Sequence, residues 1–149
     1  MKLIDYIETQ NIELNFPFRS KKHLFEQLAI KAGENAKETQ EIYEALVQRE
    51  KIGVTSLGNG VAIPHGKCLK NREVRVRIFV LNTPSNYESV DETLIQLVVC
   101  VIFPKETNEF HLELLRNIGT FFKKYRLYRA IINAQSANEI REIIFNEHT

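Results

Sequence analysis

Residues 95–103, IQLVVCVIF, put the tightest limit on what this chain can fold into. The run is rich in β-branched residues, carries one polar side chain (Gln96) and is closed by Pro104. That pattern suits a strand covered on both faces, which needs a layer of helix on each side. The rest of the chain supplies the parts. Residues 74–82 (VRVRIFVLN) alternate as a half-buried strand does, with Val74, Val76, Ile78 and Val80 on one side and Arg75 and Arg77 on the other. Residues 11–16 (NIELNF) read as a short strand closed by Pro17.

Four helices follow from caps and periodicity. The first runs from about Lys21 to Ala32, with Ser20 as its cap, Leu24, Leu28 and Ala29 on its apolar side and Gly33 as its stop. A second runs from about Glu38 to Lys51, with Ile42, Leu46 and Val47 on one face and Gly53 behind it. From Thr107 the pattern is helical again, marked by Leu112, Leu115, Ile118 and Phe122. The last helix starts at Ser136, whose partner in a reciprocal cap is Glu139, and carries Ile140, Ile143 and Ile144. The expected fold class is α/β of the α+β type. It is a single domain over 1–149, with a mixed β-sheet flanked by helices on both faces in three layers. The strand order stays open.

Charge and cysteine usage narrow the partners. Twenty basic and 19 acidic side chains leave a formal net charge of +1, so no broad basic footprint for nucleic acid is expected. Cys68 and Cys100 do not make a disulfide framework, and Cys100 lies inside the apolar run, where a buried thiol is the ordinary case. No apolar stretch approaches the ~20 residues of a membrane span. The expectation is a cytoplasmic protein that meets a membrane only through a partner.

The chemistry concentrates in residues 49–67, REKIGVTSLGNGVAIPHGK, which hold four of the six glycines. Asn59-Gly60 signals a tight turn. Val61-Ala62-Ile63 suits a short strand, and Pro64 biases Ile63 toward extended backbone. His65 then falls at the strand end, with Gly66 behind it to leave its ring uncrowded. A neutral imidazole is a good nucleophile near pH 7, and its ring nitrogens can accept and return a phosphoryl group. Main-chain N–H groups at Gly58, Gly60 and Gly66, with the hydroxyls of Thr55 and Ser56, are candidates for holding phosphoryl oxygens. On position alone, a structural histidine at a strand end is the commoner case. His111 sits near a helix start, where anions are favoured, and is a candidate donor to a phosphoryl oxygen. A solvated surface histidine is the commoner alternative. Arg49 ends its helix beside the loop and suits phosphate oxygens; its alternative is an exposed pair with Glu50 or another acid. His23 and His148 carry no signal, and Lys123, Lys124, Arg126 and Arg129 read as a solvated helix face. His65 and His111 lack a third ligand for catalytic zinc, so no metal is expected.

Arg49-Glu50, Gly53 and GNGVAIPHG at 58–66 resemble the signature around the phosphorylated histidine of type-2 enzyme IIA proteins of the bacterial phosphoenolpyruvate-dependent phosphotransferase system. FHLELL at 110–115 resembles the family's later His-Leu-x-x-Leu segment, and SANEIREII is similar to its final helix. The likeness spans essentially the whole chain. It implies that His65 accepts a phosphoryl group in line from the small carrier HPr or its nitrogen-branch counterpart. His111 would stabilise the phosphorylated state and Arg49 would hold charge beside it, with no cofactor. The spacing from Pro84 through Asp91 to residues 95–103 looks more like the nitrogen-regulatory branch, whose acceptors would be regulatory target proteins. The alternatives are a sugar-uptake subunit that passes phosphate to a IIB domain, and a regulatory binding module whose histidine is unused. Two departures stand out. Val54-Thr55-Ser56-Leu57 replaces the usual Ser-Thr-Gly run and loses a glycine beside the site, and Asp91-Glu92 stands where Asp-Gly is common.

Overall fold

The structure is a computed structural model that describes residues 3–70, 73–89 and 91–148, without the side chains of Leu69 and His148. Its elements are β1 (Ile12–Phe16), α1 (Lys21–Ala32), α2 (Ala36–Ile52), β2 (Ser56–Gly58), β3 (Val61–Ala62), β4 (His65–Leu69), β5 (Arg75–Ser85), β6 (Ile95–Pro104), α3 (Glu109–Phe122), α4 (Tyr125–Ile132) and α5 (Ala137–His148). Short 3-10 turns at Leu3–Tyr6 and Thr9–Asn11 precede β1.

β6 is the central strand, as its composition requires. β5 runs antiparallel along one edge and carries β1 parallel on its far side. β3 and β4 both lie parallel along the other edge, and β2 pairs antiparallel with β3. The sheet order is β1-β5-β6-β3-β2. Register is constant through the break between β3 and β4: Val61 faces Leu97, Ala62 faces Val98, His65 faces Val101 and Gly66 faces Ile102. The two are one line of strand interrupted at Ile63-Pro64. Pro64 has no N–H to give the ladder, yet its carbonyl accepts from Val101 N at 3.1 Å. His65 therefore opens a second piece of strand rather than closing the first.

From Leu97 to Phe103 the side chains of β6 alternate between two cores, and Ile95 joins the second out of phase. Leu97, Val99, Val101 and Phe103 pack with Val76, Ile78 and Val80 against α3, α4 and α5. Ile95, Val98, Cys100 and Ile102 pack against α1 and α2. The result is the expected mixed sheet in three layers. Ser20 caps α1 through His23 N at 3.0 Å, and Asn35 caps α2 through Glu38 N at 2.9 Å, so α2 begins at Ala36, ahead of the expected Glu38. The chain after Phe122 is not one continued helix. It turns at Lys123-Lys124 and restarts as α4, which buries Leu127 and Ile131. Among the described residues no helix is long and apolar enough to cross a membrane.

The arginines of β5 depart from a half-buried strand, because α1 and α2 cover the face they occupy. Arg75 is 5% exposed. Its Nη1 donates to Ala32 O at 2.7 Å and to Glu38 at 2.8 Å, and its Nη2 lies 3.3 Å from both Glu34 and Glu73. Arg77 Nε donates to Lys31 O at 3.2 Å. The two guanidiniums thus close the carbonyl end of α1, where cations suit the helix dipole. Arg75→Met should lower the unfolding free energy by about 1–3 kcal/mol in urea denaturation, because a buried carbonyl loses its donor. The hydrogen bond from Arg75 holds the Glu38 carboxyl below its ordinary value near 4.5. That contribution is present above the ordinary value and is lost as pH falls through the lower folded one. The stability gap between wild type and Arg75→Met should therefore narrow in acid.

Candidate functional site

β4 forms a sheet edge between the carboxyl end of α2 and the amino end of α3. A cleft of about 660 Å³ opens there, lined by His65, Lys67, Arg49, Lys105, His111 and Leu112 among others.

Pro64 and Ile63 orient the first histidine. His65 Nδ1 lies 2.8 Å from Ile63 O. A carbonyl only accepts, so Nδ1 carries the ring proton and Nε2 keeps its lone pair. Burial lowers the pKa of His65 below its ordinary 6.5. The Ile63 hydrogen bond opposes that shift, the Arg49 guanidinium adds to it and Glu50 opposes it. The ring is held neutral with one nitrogen ready to attack.

The second histidine is held the opposite way. Asn108 caps α3 by accepting from His111 N at 3.2 Å, and Asn108 N–H donates to His111 Nδ1 at 3.1 Å. Nδ1 is therefore an acceptor and the ring proton sits on Nε2. The residue is 8% exposed, and its ring meets Phe103 and Phe110 edge-on, with centroids 5.8 and 5.6 Å away. It is not the solvated surface histidine that was the commoner alternative. Two imidazoles in one cleft thus offer complementary groups, a lone pair and an N–H.

Arg49 Nη1 donates to Gly53 O at 2.9 Å, which ties the guanidinium to the end of α2 beside the cleft. The alternative pair with Glu50 is not made. Glu50 turns away and takes Lys21 Nζ at 2.9 Å, Thr55 N at 3.1 Å and Thr55 Oγ1 at 2.6 Å. Tyr87, fully buried, places its hydroxyl 2.8 Å from Thr55 Oγ1 and 3.3 Å from Glu50. Burial and the Glu50 charge hold that phenol protonated by raising its pKa well above 10.

The five loop residues expected to hold phosphoryl oxygens do not line the cleft. The Thr55 hydroxyl is committed to Glu50 and Tyr87. Ser56 lies in β2 opposite Ala62. Asn59 and Gly60, both at positive φ (56° and 88°), make the tight turn between β2 and β3, as Asn-Gly predicts. A Cβ on Gly60 would run into the Tyr128 phenol, and one on Gly58 would sit 3.2 Å from Asp91. Gly66 serves close packing: a Cβ there would come within 2.9 Å of Ala45 Cβ on α2. It brings helix and strand together rather than clearing space for the imidazole. At Gly60 and Gly66 the missing side chain lets Tyr128 and Ala45 pack close. Because Pro64 O faces β6, the ladder turns the N–H groups of His65 and Lys67 outward from the sheet edge.

Lys67 and Lys105 were missed in the sequence. Lys67 was open to inference, since residues two apart in a strand share a face. Asn108, three residues before His111, was also a visible cap signal. Tyr87 meeting Glu50 across 37 positions had no local signal.

The family model described as "Phosphoenolpyruvate-dependent sugar phosphotransferase system, EIIA 2" matches residues 5–147. A nitrogen regulatory protein of Bradyrhizobium diazoefficiens is 30% identical over 145 residues, which are 97% of this chain and 95% of the relative. The crystal structure of the nitrogen regulatory protein IIA-Ntr of Neisseria meningitidis superposes with a TM-score of 0.88 at 27% identity, covering 95% of this chain and 98% of that one. Enzyme IIAMtl of Escherichia coli, solved in complex with phosphorylated IIBMtl, shares the fold with a TM-score of 0.76 at 15% identity, covering 94% of this chain and 97% of that one.

NMR titration of the His65 ring should give a midpoint below 6.5, and Arg49→Gln should raise it. Between 6.5 and that midpoint the unfolded chain binds a proton that the folded chain does not. His65 should therefore cost stability as pH falls through that window.

Proposed function

Because the chain belongs to the EIIA type 2 family of the phosphoenolpyruvate-dependent sugar phosphotransferase system, we propose that it is a phosphoryl carrier whose acceptor is Nε2 of His65. The observation that carries this reading is the Nδ1–H bond to Ile63 O, which leaves Nε2 unprotonated in a cleft. The Nε2 lone pair attacks the phosphorus of a phosphohistidine on HPr or its nitrogen-branch counterpart. A new N–P bond forms, the donor's N–P bond breaks, and the donor ring nitrogen keeps that electron pair. The Nδ1 proton stays in place, and Ile63 O steadies the positive charge that develops on the ring. His111 gives its Nε2–H to a phosphoryl oxygen. Arg49, with Lys67 and Lys105, offsets the transferred charge. Such a transfer is mostly positioning and charge stabilisation.

Ile52 is 83% exposed on the cleft wall, and Leu112 beside His111 is also exposed. An apolar rim around cations fits a protein donor rather than a small phosphate ester. The names of the relatives favour a nitrogen-regulatory role; on this reading the carrier is cytoplasmic and its acceptors or targets are regulatory proteins. A phosphoryl group on His65 adds roughly two negative charges to this rim and would change which partners dock. The second reading, delivery to a IIB domain, is supported by the neighbour solved with phosphorylated IIBMtl.

Incubation with phosphoenolpyruvate, enzyme I and HPr, followed by intact mass, tests the reading. One added phosphoryl group is expected, labile in acid and stable in base, and none on His65→Ala. His111→Ala and Arg49→Ala should fold and transfer more slowly, by about 1–3 kcal/mol in activation free energy for a lost charge-assisted contact. A stable phosphoserine, or full labelling of His65→Ala, overturns the assignment.

A further inference from the structure

His65 takes its orientation from a carbonyl two residues upstream, so whatever fixes Ile63 fixes the imidazole. Ile63 N–H donates to Thr55 O at 2.9 Å, across the β2–β3 hairpin. Thr55 is in turn gripped at two points by one carboxylate, its N–H on Glu50 Oε2 and its hydroxyl on Glu50 Oε1. Glu50 is pinned by Lys21 from α1, and its side chain is 9% exposed. Lys21 Nζ also lies 4.2 Å from the centre of the Tyr87 ring, whose hydroxyl closes the group.

We propose that Glu50 is a positioning residue for His65, acting through Thr55 and Ile63 to hold the imidazole in the tautomer with Nε2 unprotonated. An unbroken line of hydrogen bonds runs from carboxylate to Thr55, from the Thr55 carbonyl to Ile63, and from the Ile63 carbonyl to the ring. Each link leaves the next group one rotational choice fewer. A buried carboxylate is a weak source of stability, since taking the charge out of water offsets much of what its partners return. What it supplies here is two acceptors at a fixed angle on a rigid helix end, which an apolar contact does not. The last turn of α2 then does two things with adjacent residues. Arg49 faces the cleft as a cation, and Glu50 faces the hairpin that aims the nucleophile. Tyr87 and Lys21 are the outer supports that keep Glu50 from turning to solvent.

The inference rests on His65 being the phosphoryl acceptor, but the tautomer is read on the full chain with no phosphate present. Nitrogen NMR of the His65 ring in wild type should show one neutral tautomer, protonated at Nδ1. Glu50→Gln, which offers an amide N–H where Thr55 needs an acceptor, should give a mixture of tautomers. It should also take up phosphate from phosphorylated HPr about tenfold more slowly, the scale of one lost hydrogen bond. Thr55→Val removes only the hydroxyl and should move both readouts the same way, and it carries the test alone if Glu50→Gln does not fold. Thr55→Ser, which restores the hydroxyl, should return both toward wild type. A single Nδ1-protonated tautomer in Thr55→Val and in folded Glu50→Gln overturns the positioning role, even if His65 still takes up phosphate. Mixed tautomers with no phosphate on any form would leave positioning intact and overturn the carrier reading instead.

Discussion

β6 buries every side chain from Leu97 to Phe103, and a strand with no solvent face has to be covered twice. The rest of the molecule answers that demand. α1 and α2 cover one face, α3 to α5 cover the other, and β5 and the β3–β4 line complete its hydrogen bonds. The site is a by-product of the same arrangement. β4 has β6 on one side only, so its other edge is open. The end of α2 and the start of α3 come to that edge from opposite layers. A nucleophile on the edge strand can therefore be backed by a rigid sheet and still be reached.

Partial burial decides the chemistry. A ring in water would be partly protonated near pH 6.5 and would exchange its proton between nitrogens. In the cleft, desolvation opposes the charged form, and one carbonyl selects the proton's position. His111 receives the opposite assignment from a helix cap. Asn108 needs an acceptor for its main-chain N–H, and the imidazole supplies it. Ordinary requirements of a turn and a helix start thus set two different tautomers in one cleft. The His65 ring is shifted first by burial and only secondarily by the charges of Arg49 and Glu50.

Much of this was readable along the chain. The apolar run required a sandwiched strand, the caps at Ser20 and Ser136 marked helices, and Asn59-Gly60 marked the hairpin turn. Pro64-His65-Gly66 and the second histidine were visible as a resemblance before any geometry. The misreadings share a cause. Arg75 looks polar in sequence, but the α1–α2 pair folds over it. Gly58, Gly60 and Gly66 look open in sequence, but they do not line the cleft, and Gly60 packs on Tyr128 and Gly66 on Ala45, residues far away in the chain. Thr55 looks like a free hydroxyl until Glu50 and Tyr87 take it.

The sequence by itself determined the strands β1, β5 and β6, the helices α1, α2, α3 and α5 to within a few residues, that the sheet needs two covering layers, and that an imidazole sits behind a proline. Those are consequences of local periodicity, backbone restriction and composition, and they act over a few residues. The tautomer of each ring is set by a group two or three residues away. Only the tertiary structure decided which cations reach the cleft and whether a hydroxyl is available or spent. Both depend on groups far apart in sequence, as when Tyr87 comes within 2.8 Å of Thr55, and such contacts exist only once the layers have packed.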